Sequence, residues 1–303
     1  MRRFSAEYLE HTRRGMWEDD RDALADLELA SRERVLDVGC GTGELTRVLA
    51  EEAGAGKGGD AGDADPTGAT VIGVDADPEL LAVAREAEQR ASGESEQGAD
   101  HESGRGTDRE GRIDYLAGGA TRLPVRDGAV DLAVCQALLI NLPDPTAAVR
   151  ELARVSGDLV AAIEPDNADV RVASTVDAEE RLEREAREAY VDGVETDVAL
   201  GDRVCDAFDA AGLVDVRTRR YVHEKRTEPP YAEAALRSAA RKASGAGLAD
   251  HRDELVAATS EAEYDDLRGR WRDMGREVVD AIGAGEYERV EYVPFDVTVG
   301  RVA

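Results

Sequence analysis

Lysine is almost missing from this chain: Lys57, Lys225 and Lys242 are its three lysines in 303 residues. Arginine carries nearly all the positive charge, and 38 basic residues face 66 Asp and Glu, for a formal charge of −28. At low ionic strength such self-repulsion opposes the compact state. At molar salt the Debye length shrinks to about 3 Å and the repulsion is screened. The composition therefore reads as that of a halophilic, cytoplasmic protein, from a cell that balances external brine with internal salt. Its charge then says little about partners.

Cysteine is scarce as well. Cys40, Cys135 and Cys205 stand far apart in apolar contexts and form no C-x-x-C pair. That spacing indicates neither a zinc site nor a disulfide framework and fits small buried hydrophobes. Aromatic residues are 4% of the chain. No apolar stretch approaches the roughly 20 residues of a membrane span. Met1–Tyr8 has no apolar core of the kind a signal peptide needs. No G-x-S-x-G elbow, H-E-x-x-H helix or Walker loop is present, so triad, zincin and P-loop chemistry are unsupported.

What the chain does have is a glycine loop. Val35-Leu36-Asp37-Val38 is a short β-branched, apolar run, followed by Gly39-Cys40-Gly41-Thr42-Gly43 and then the helix-forming Glu44-Leu45. A strand feeding a tight loop into a helix is the opening unit of a nucleotide-binding α/β sheet. The G-x-G-x-G spacing behind an Asp differs from the G-x-G-x-x-G dinucleotide fingerprint. Val71–Asp75 reads as a second buried strand ending in an acid, with a helix from about Glu79. Leu123–Val134 reads as a strand exit, a turn and a fourth strand, and Asn141–Val155 as a loop and helix. Ile163-Glu164-Pro165-Asp166 falls where a fifth strand ends. Asp202–Gly212 and Val214–Val222 read as the last helix and a sixth strand. The alternating Val293, Phe295, Val297 and Val299 read as a seventh.

In this order, over residues 31–166 and more weakly to the C-terminus, the landmarks resemble the class I S-adenosylmethionine-dependent methyltransferases. The resemblance implies an α/β fold: a Rossmann-like, seven-stranded methyltransferase sheet flanked by helices, with inserted helical lid segments. It implies S-adenosyl-L-methionine as cofactor. The expected organisation is an N-terminal helical cap at 1–30 and a core at 31–228 with a lid helix at 174–200. Inserted helices follow at 229–290, and the final core strand at 291–303. Residues 54–68 and 91–111, rich in Gly, Ser and acids, read as solvated surface loops. Leu267, Trp271, Met274 and Val278 follow helical spacing and read as core packing rather than a substrate box.

Residue by residue, the resemblance gives Gly39, Gly41 and Gly43 to close backbone approach by the cofactor. Asp37 orders the loop or meets the methionine amino group, or simply ends the strand. Asp75, with Ala76 beside it, holds the ribose hydroxyls, or else caps the next helix. The residue after Gly118 is usually an Asp that accepts from the adenine amino group. Here it is Gly119, which leaves Ala120 backbone or the Thr121 hydroxyl to substitute. Gln136 reaches toward the methionine end. Arg13, in a segment with Tyr8 and Trp17, clamps the donor carboxylate or sits on a solvated helix. The candidates for a general base are His11, Glu164 and Asp166; His101 and His251 lie in a loop and in the inserted helices.

The leading functional reading is methyl transfer to a small-molecule acceptor, close to the quinone-biosynthesis-like group. Leu123-Pro124-x-x-x-Gly128 and Asn141-Leu142-Pro143-Asp144 carry that likeness, although the group often has His where Asn141 stands. One alternative is an RNA or protein methyltransferase. Arg217-Thr218-Arg219-Arg220 is the densest basic cluster, but there is no clear nucleic-acid signal. Another is a non-catalytic S-adenosylmethionine-binding protein, which Gly119 favours. A nicotinamide oxidoreductase is opposed by the loop spacing.

Overall fold

The computed structural model describes residues 9, 16–17, 21–53, 69–97 and 112–303. Tyr8, His11, Arg13 and the expected loop at 54–68 lie outside the described residues. No helix among those described is long and apolar enough to cross a membrane. Contacts divide the chain into one unit of Met1–Glu164, Asp202–Arg219 and Val297–Ala303, and another of Pro165–Gly201 and Arg220–Asp296.

The first unit is an α/β sheet. Its strands are β1 (Arg34–Val38), β2 (Thr70–Asp75), β3 (Arg112–Ala117), β4 (Val130–Gln136) and β5 (Ser156–Pro165). They run in the order β3-β2-β1-β4-β5, each neighbouring pair parallel. Next to β5 comes β8 (Arg289–Arg301), which also pairs with β7 (Val214–Thr227). Parallel strands covered on both faces read as unbroken apolar runs. Val35, Leu36, Leu132–Cys135 and Leu159–Ile163 are accordingly sealed from solvent.

The helices of this unit follow their sequence signals. They are α1 (Glu44–Glu52), α2 (Pro78–Gln97) and α3 (Pro145–Val155). Asp144 caps α3 by accepting from the Ala147 amide at 3.0 Å, with Pro145 in the first turn. Ala148, Val149, Leu152 and Val155 form its buried stripe. One expectation needs correction: residues 91–97 continue α2 rather than starting a loop. Glu94, Glu96 and Gln97 are good helix formers, and extending an existing helix is far easier than nucleating one.

The second unit is helical. It holds α4 (Asp177–Gly193), α6 (Glu233–Ser244), α7 (Ala246–Ala249), α8 (Arg252–Ala258) and α9 (Glu261–Ala284); α5 (Val204–Ala210) belongs to the first. A short β6 (Arg171–Ser174) pairs antiparallel with the beginning of β8, Ser174 opposite Arg289. Leu267, Trp271, Met274 and Val278 are buried together with Leu182, Ala186 and Leu255. The helical stripe is core. Gly275 lets α9 press against α6, since a β-carbon there would lie 2.3 Å from the Ala243 nitrogen.

One carboxylate organises this helical core. Glu179 is fully buried, which demands partners for its charge. The Tyr287 hydroxyl lies 3.0 Å from both its oxygens, Ser174 Oγ donates at 2.5 Å, Lys242 binds it directly, and Arg289 stands at 3.4 Å. Lys242 also lies 5.9 Å from the centre of the Trp271 ring. A compact ammonium with three donors can serve two acids at once, and it reaches Glu183 as well, at 2.8 Å.

Candidate active site

Crossovers reverse between β1 and β4, because β2 lies on one side of β1 and β4 on the other. Ligands of open α/β sheets bind in the crevice that such a reversal opens at the carboxyl ends of the strands. The glycine loop stands at that point. Gly39, Gly41 and Gly43 all have positive φ, at 75°, 53° and 76°. The amides of Gly39 and Cys40 both donate to the Val74 carbonyl, at 2.7 and 3.1 Å, and the Gly41 amide donates to Asp75 Oδ2 at 2.9 Å. The loop is thereby tied to the end of β2.

Asp75 is half-buried, and its other oxygen accepts from the Asp77 amide at 2.8 Å. A carboxylate offers about four acceptor positions. Two amides engage Asp75 here, which leaves acceptor capacity for a pair of hydroxyls, and Ala76 beside it is exposed. Asp37 is buried and accepts from Thr46 Oγ1 at 2.6 Å, joining the strand to the first turn of α1. The sequence carries no pattern that singles out Thr46.

Tyr115 was likewise invisible as a loop residue. Its ring, from β3, fills the space that side chains at two glycines would need. A β-carbon on Gly43 would lie 2.4 Å from the Tyr115 oxygen, and one on Gly73 would lie 2.7 Å from its ring. The hydroxyl is buried with no hydrogen-bond partner among the described residues. Burial pushes the phenol up to about 12.

At the end of β3, the Arg122 amide donates to the Gly119 carbonyl at 3.0 Å. Ala120 is buried and Thr121 exposed. A β-carbon on Gly119 would meet nothing within 4 Å. Gly119 is exposed, and the space beside the turn is open.

At the end of β4, Gln136 is buried and its Nε2 donates to Met16 Sδ at 3.0 Å. Ala137 follows with φ 47°, and its carbonyl accepts from Asn141 Nδ2 at 2.8 Å. Glu164 is sealed from solvent and accepts backbone N–H groups of Leu138, Leu139 and Ile140. The Cys135 thiol next to it is pushed well above its ordinary range by burial and then by the Glu164 charge. Asp166 belongs to the second unit, where it accepts from Arg220 at 2.9 Å and from the Ala168 amide at 3.2 Å. The structure thus gathers Asp37, the three glycines, Asp75 and Ala76 around one loop. Glu164, on β5, has its carboxylate on the amides of the turn after β4, and Asp166 lies in a separate ion cluster.

Residues 36–158, the span of the parallel ladder, match the family model described as a methyltransferase domain. An uncharacterized protein of Mycobacterium tuberculosis (strain ATCC 25618 / H37Rv) is 30% identical over 241 residues, which cover 70% of this chain and 74% of that protein. The chain is a class I S-adenosylmethionine-dependent methyltransferase. Its methyl donor is S-adenosylmethionine. The methyltransferase is also 31% identical over 132 residues to a ubiquinone biosynthesis O-methyltransferase of Xanthomonas oryzae pv. oryzae (strain PXO99A), covering 43% of this chain and 41% of that one. With a demethylmenaquinone methyltransferase of Lactiplantibacillus plantarum it shares 31% identity over 137 residues, 45% of each chain. This methyltransferase thus spans less than half the length of those two enzymes.

Proposed function

We propose that this methyltransferase transfers the methyl group to a small-molecule acceptor by in-line displacement, with the donor seated at the carboxyl ends of β1, β2 and β4. The observation that carries the reading is the Gly41–Asp75 bond. It folds a loop of left-handed glycines toward a half-buried carboxylate with acceptor capacity left over. In this reading Gly39, Gly41 and Gly43 admit the donor to the backbone, and Asp75, beside Ala76, takes the ribose hydroxyls. Ala120 and Thr121 border the adenine in the open space at Gly119, Gln136 faces the methionine end, Asp37 holds the loop in place, and Arg13 is assigned to the donor carboxylate on its charge alone.

S-adenosylmethionine supplies an activated methyl group on a sulfonium centre. The protein's task is alignment and exclusion of water, and proximity of this kind contributes up to about 7–11 kcal/mol of barrier lowering. An oxygen or nitrogen acceptor also needs a base. Of the three candidates we favour His11, because three amides occupy Glu164 and Arg220 occupies Asp166.

A small acceptor is favoured over RNA by the state of the basic cluster. Arg217 and Arg219 pair with Asp26, and Arg220 with Asp166, Asp169 and Asp296. The arginines are neutralised within the molecule rather than offered as a stripe to phosphate. The halophilic, cytoplasmic reading belongs here too, and rests on the net charge of −28. It calls for a thermal midpoint that climbs steeply between 0.1 and 3 M KCl; a midpoint indifferent to salt would remove it.

The test is calorimetric binding of S-adenosylmethionine and S-adenosylhomocysteine in molar KCl, with Asp75→Ala as control, followed by labelled donor offered to a metabolite extract. Binding lost in the variant and label in a low-mass product support the proposal. Label in RNA or protein would replace the acceptor class. Binding without any transfer would leave a donor-binding protein.

A further inference from the structure

Glu164 is 0% exposed, and three consecutive backbone N–H groups converge on its carboxylate. Leu138 and Leu139 donate to Oε1 at 3.0 and 2.9 Å, and Ile140 donates to Oε2 at 3.3 Å. The Cys135 thiol lies 3.8 Å from Oε1. Three of these contacts fall on Oε1 and one on Oε2; a carboxylate takes about four in all, shared between its two oxygens. A general base must come within hydrogen-bond reach of the proton it removes. An enclosed carboxylate already surrounded by donors is built for holding.

What it holds is a turn under strain. Ala137 lies at φ 47°, a left-handed conformation that an L side chain disfavours. The residue is braced on every side: its amide donates to the Ile163 carbonyl at 2.9 Å, and Asn141 Nδ2 donates to its carbonyl at 2.8 Å. The three amides held by Glu164 follow at once. Strained backbone persists only where its surroundings over-determine it. This turn leaves β4 at the strand-order reversal, between the glycine loop and β5.

We infer that Glu164 is a positioning residue for methyl transfer: its carboxylate fixes the Ala137–Asn141 turn in the conformation that lines the reaction crevice at the end of β4. The inference rests on the donor site proposed above. It assigns Glu164 a role through the turn, with no proton transfer of its own.

The experiment compares the full chain, in molar KCl, with Glu164→Gln and with the double variant Glu164→Gln/Ala137→Gly. Glutamine turns an N–H₂ toward amide donors and should release the turn. Glycine removes the left-handed penalty and should restore it. Three readouts are taken: S-adenosylhomocysteine affinity, hydrogen exchange at residues 138–140, and the rate and pH profile of methyl transfer from labelled donor to extract. In Glu164→Gln, exchange should quicken and kcat should fall about 10²-fold, the scale of a 1 Å misplacement. Donor KM and S-adenosylhomocysteine affinity should hold within about threefold, under half of a tenfold (1.4 kcal/mol) step, against the hundredfold fall in kcat. The pH profile should keep its shape, and the double variant should recover much of the rate.

Unchanged exchange and turnover in Glu164→Gln would overturn the inference. So would a profile that loses its basic limb, which would make Glu164 the base, or affinity lost in that variant alone, which would make it part of the donor site. Failure of the wild type to bind S-adenosylhomocysteine would sink the donor-site reading together with the inference. Should Glu164→Gln not fold, Asn141→Ala removes the opposite brace and is judged by the same outcomes.

Discussion

Tyr115 stands directly behind Gly43, so close that a β-carbon on the glycine would sit 2.4 Å from the phenolic oxygen. The absence of a side chain at Gly43 is thus required from within the protein, before any ligand is considered. Gly43→Ala should cost about 2–5 kcal/mol, from a left-handed penalty of about 1–2 and overpacking of about 1–3. Denaturant unfolding in constant KCl measures it. Adding Tyr115→Phe should return part of the loss, because the clash goes and the dihedral penalty stays.

Tyr115→Phe alone should be neutral or stabilising. The hydroxyl is buried without a partner among the described residues, and such a group costs about 1–3 kcal/mol. Alkaline unfolding adds a second check. Burial pushes the folded phenol from 10.0 up to about 12, so its contribution is complete below pH 10 and is lost as pH rises toward 12. The phenylalanine variant should show a shallower decline of stability across that window.

Glu183 gives the opposite sign. Burial pushes its carboxyl up, but Lys242 and Arg289 overrule this and pull it from 4.5 to about 2. A lowered carboxyl pKa contributes stability that is present above pH 4.5 and lost as pH falls through 2. Glu183→Gln should therefore be less stable at neutral pH and flatter between those limits. The midpoint of denaturant unfolding followed against pH decides it.

Gly119→Asp should be accepted by the fold, since nothing lies within 4 Å of the new β-carbon. If the adenine amino group lies there, the added carboxylate should tighten S-adenosylmethionine binding about tenfold or more, the range of a hydrogen bond to a charged group. Calorimetry on the two proteins reads it directly. Equal affinity would place the adenine elsewhere.

The parts of this molecule that were legible beforehand are those written locally. A β-branched run, three glycines and a helix opening lie within eleven consecutive residues, so β1, its loop and α1 are read without knowing what surrounds them. The buried stripe of α9 is legible for the same reason. Glu164 was not. As an acid at a strand end it reads as a base, and the amides that define it lie 24 to 26 residues earlier in the chain. Tyr115 and Thr46 have no local signature, because their significance lies in a tertiary neighbour, Gly43 for one and Asp37 for the other. The short β6 has only four residues and no turn signal of its own beside β8.

β8 is shared: its stretch up to Asp296 belongs to the helical unit, and from Val297 onward it belongs to the sheet. During synthesis, therefore, the sheet beyond β5 can be completed only when this last strand has left the ribosome. The parallel ladder β3-β2-β1-β4-β5 must wait with an unpaired flank while some hundred and ten residues of the helical unit are made. A strongly acidic chain tolerates such a wait better than most, because like charges keep half-made copies apart.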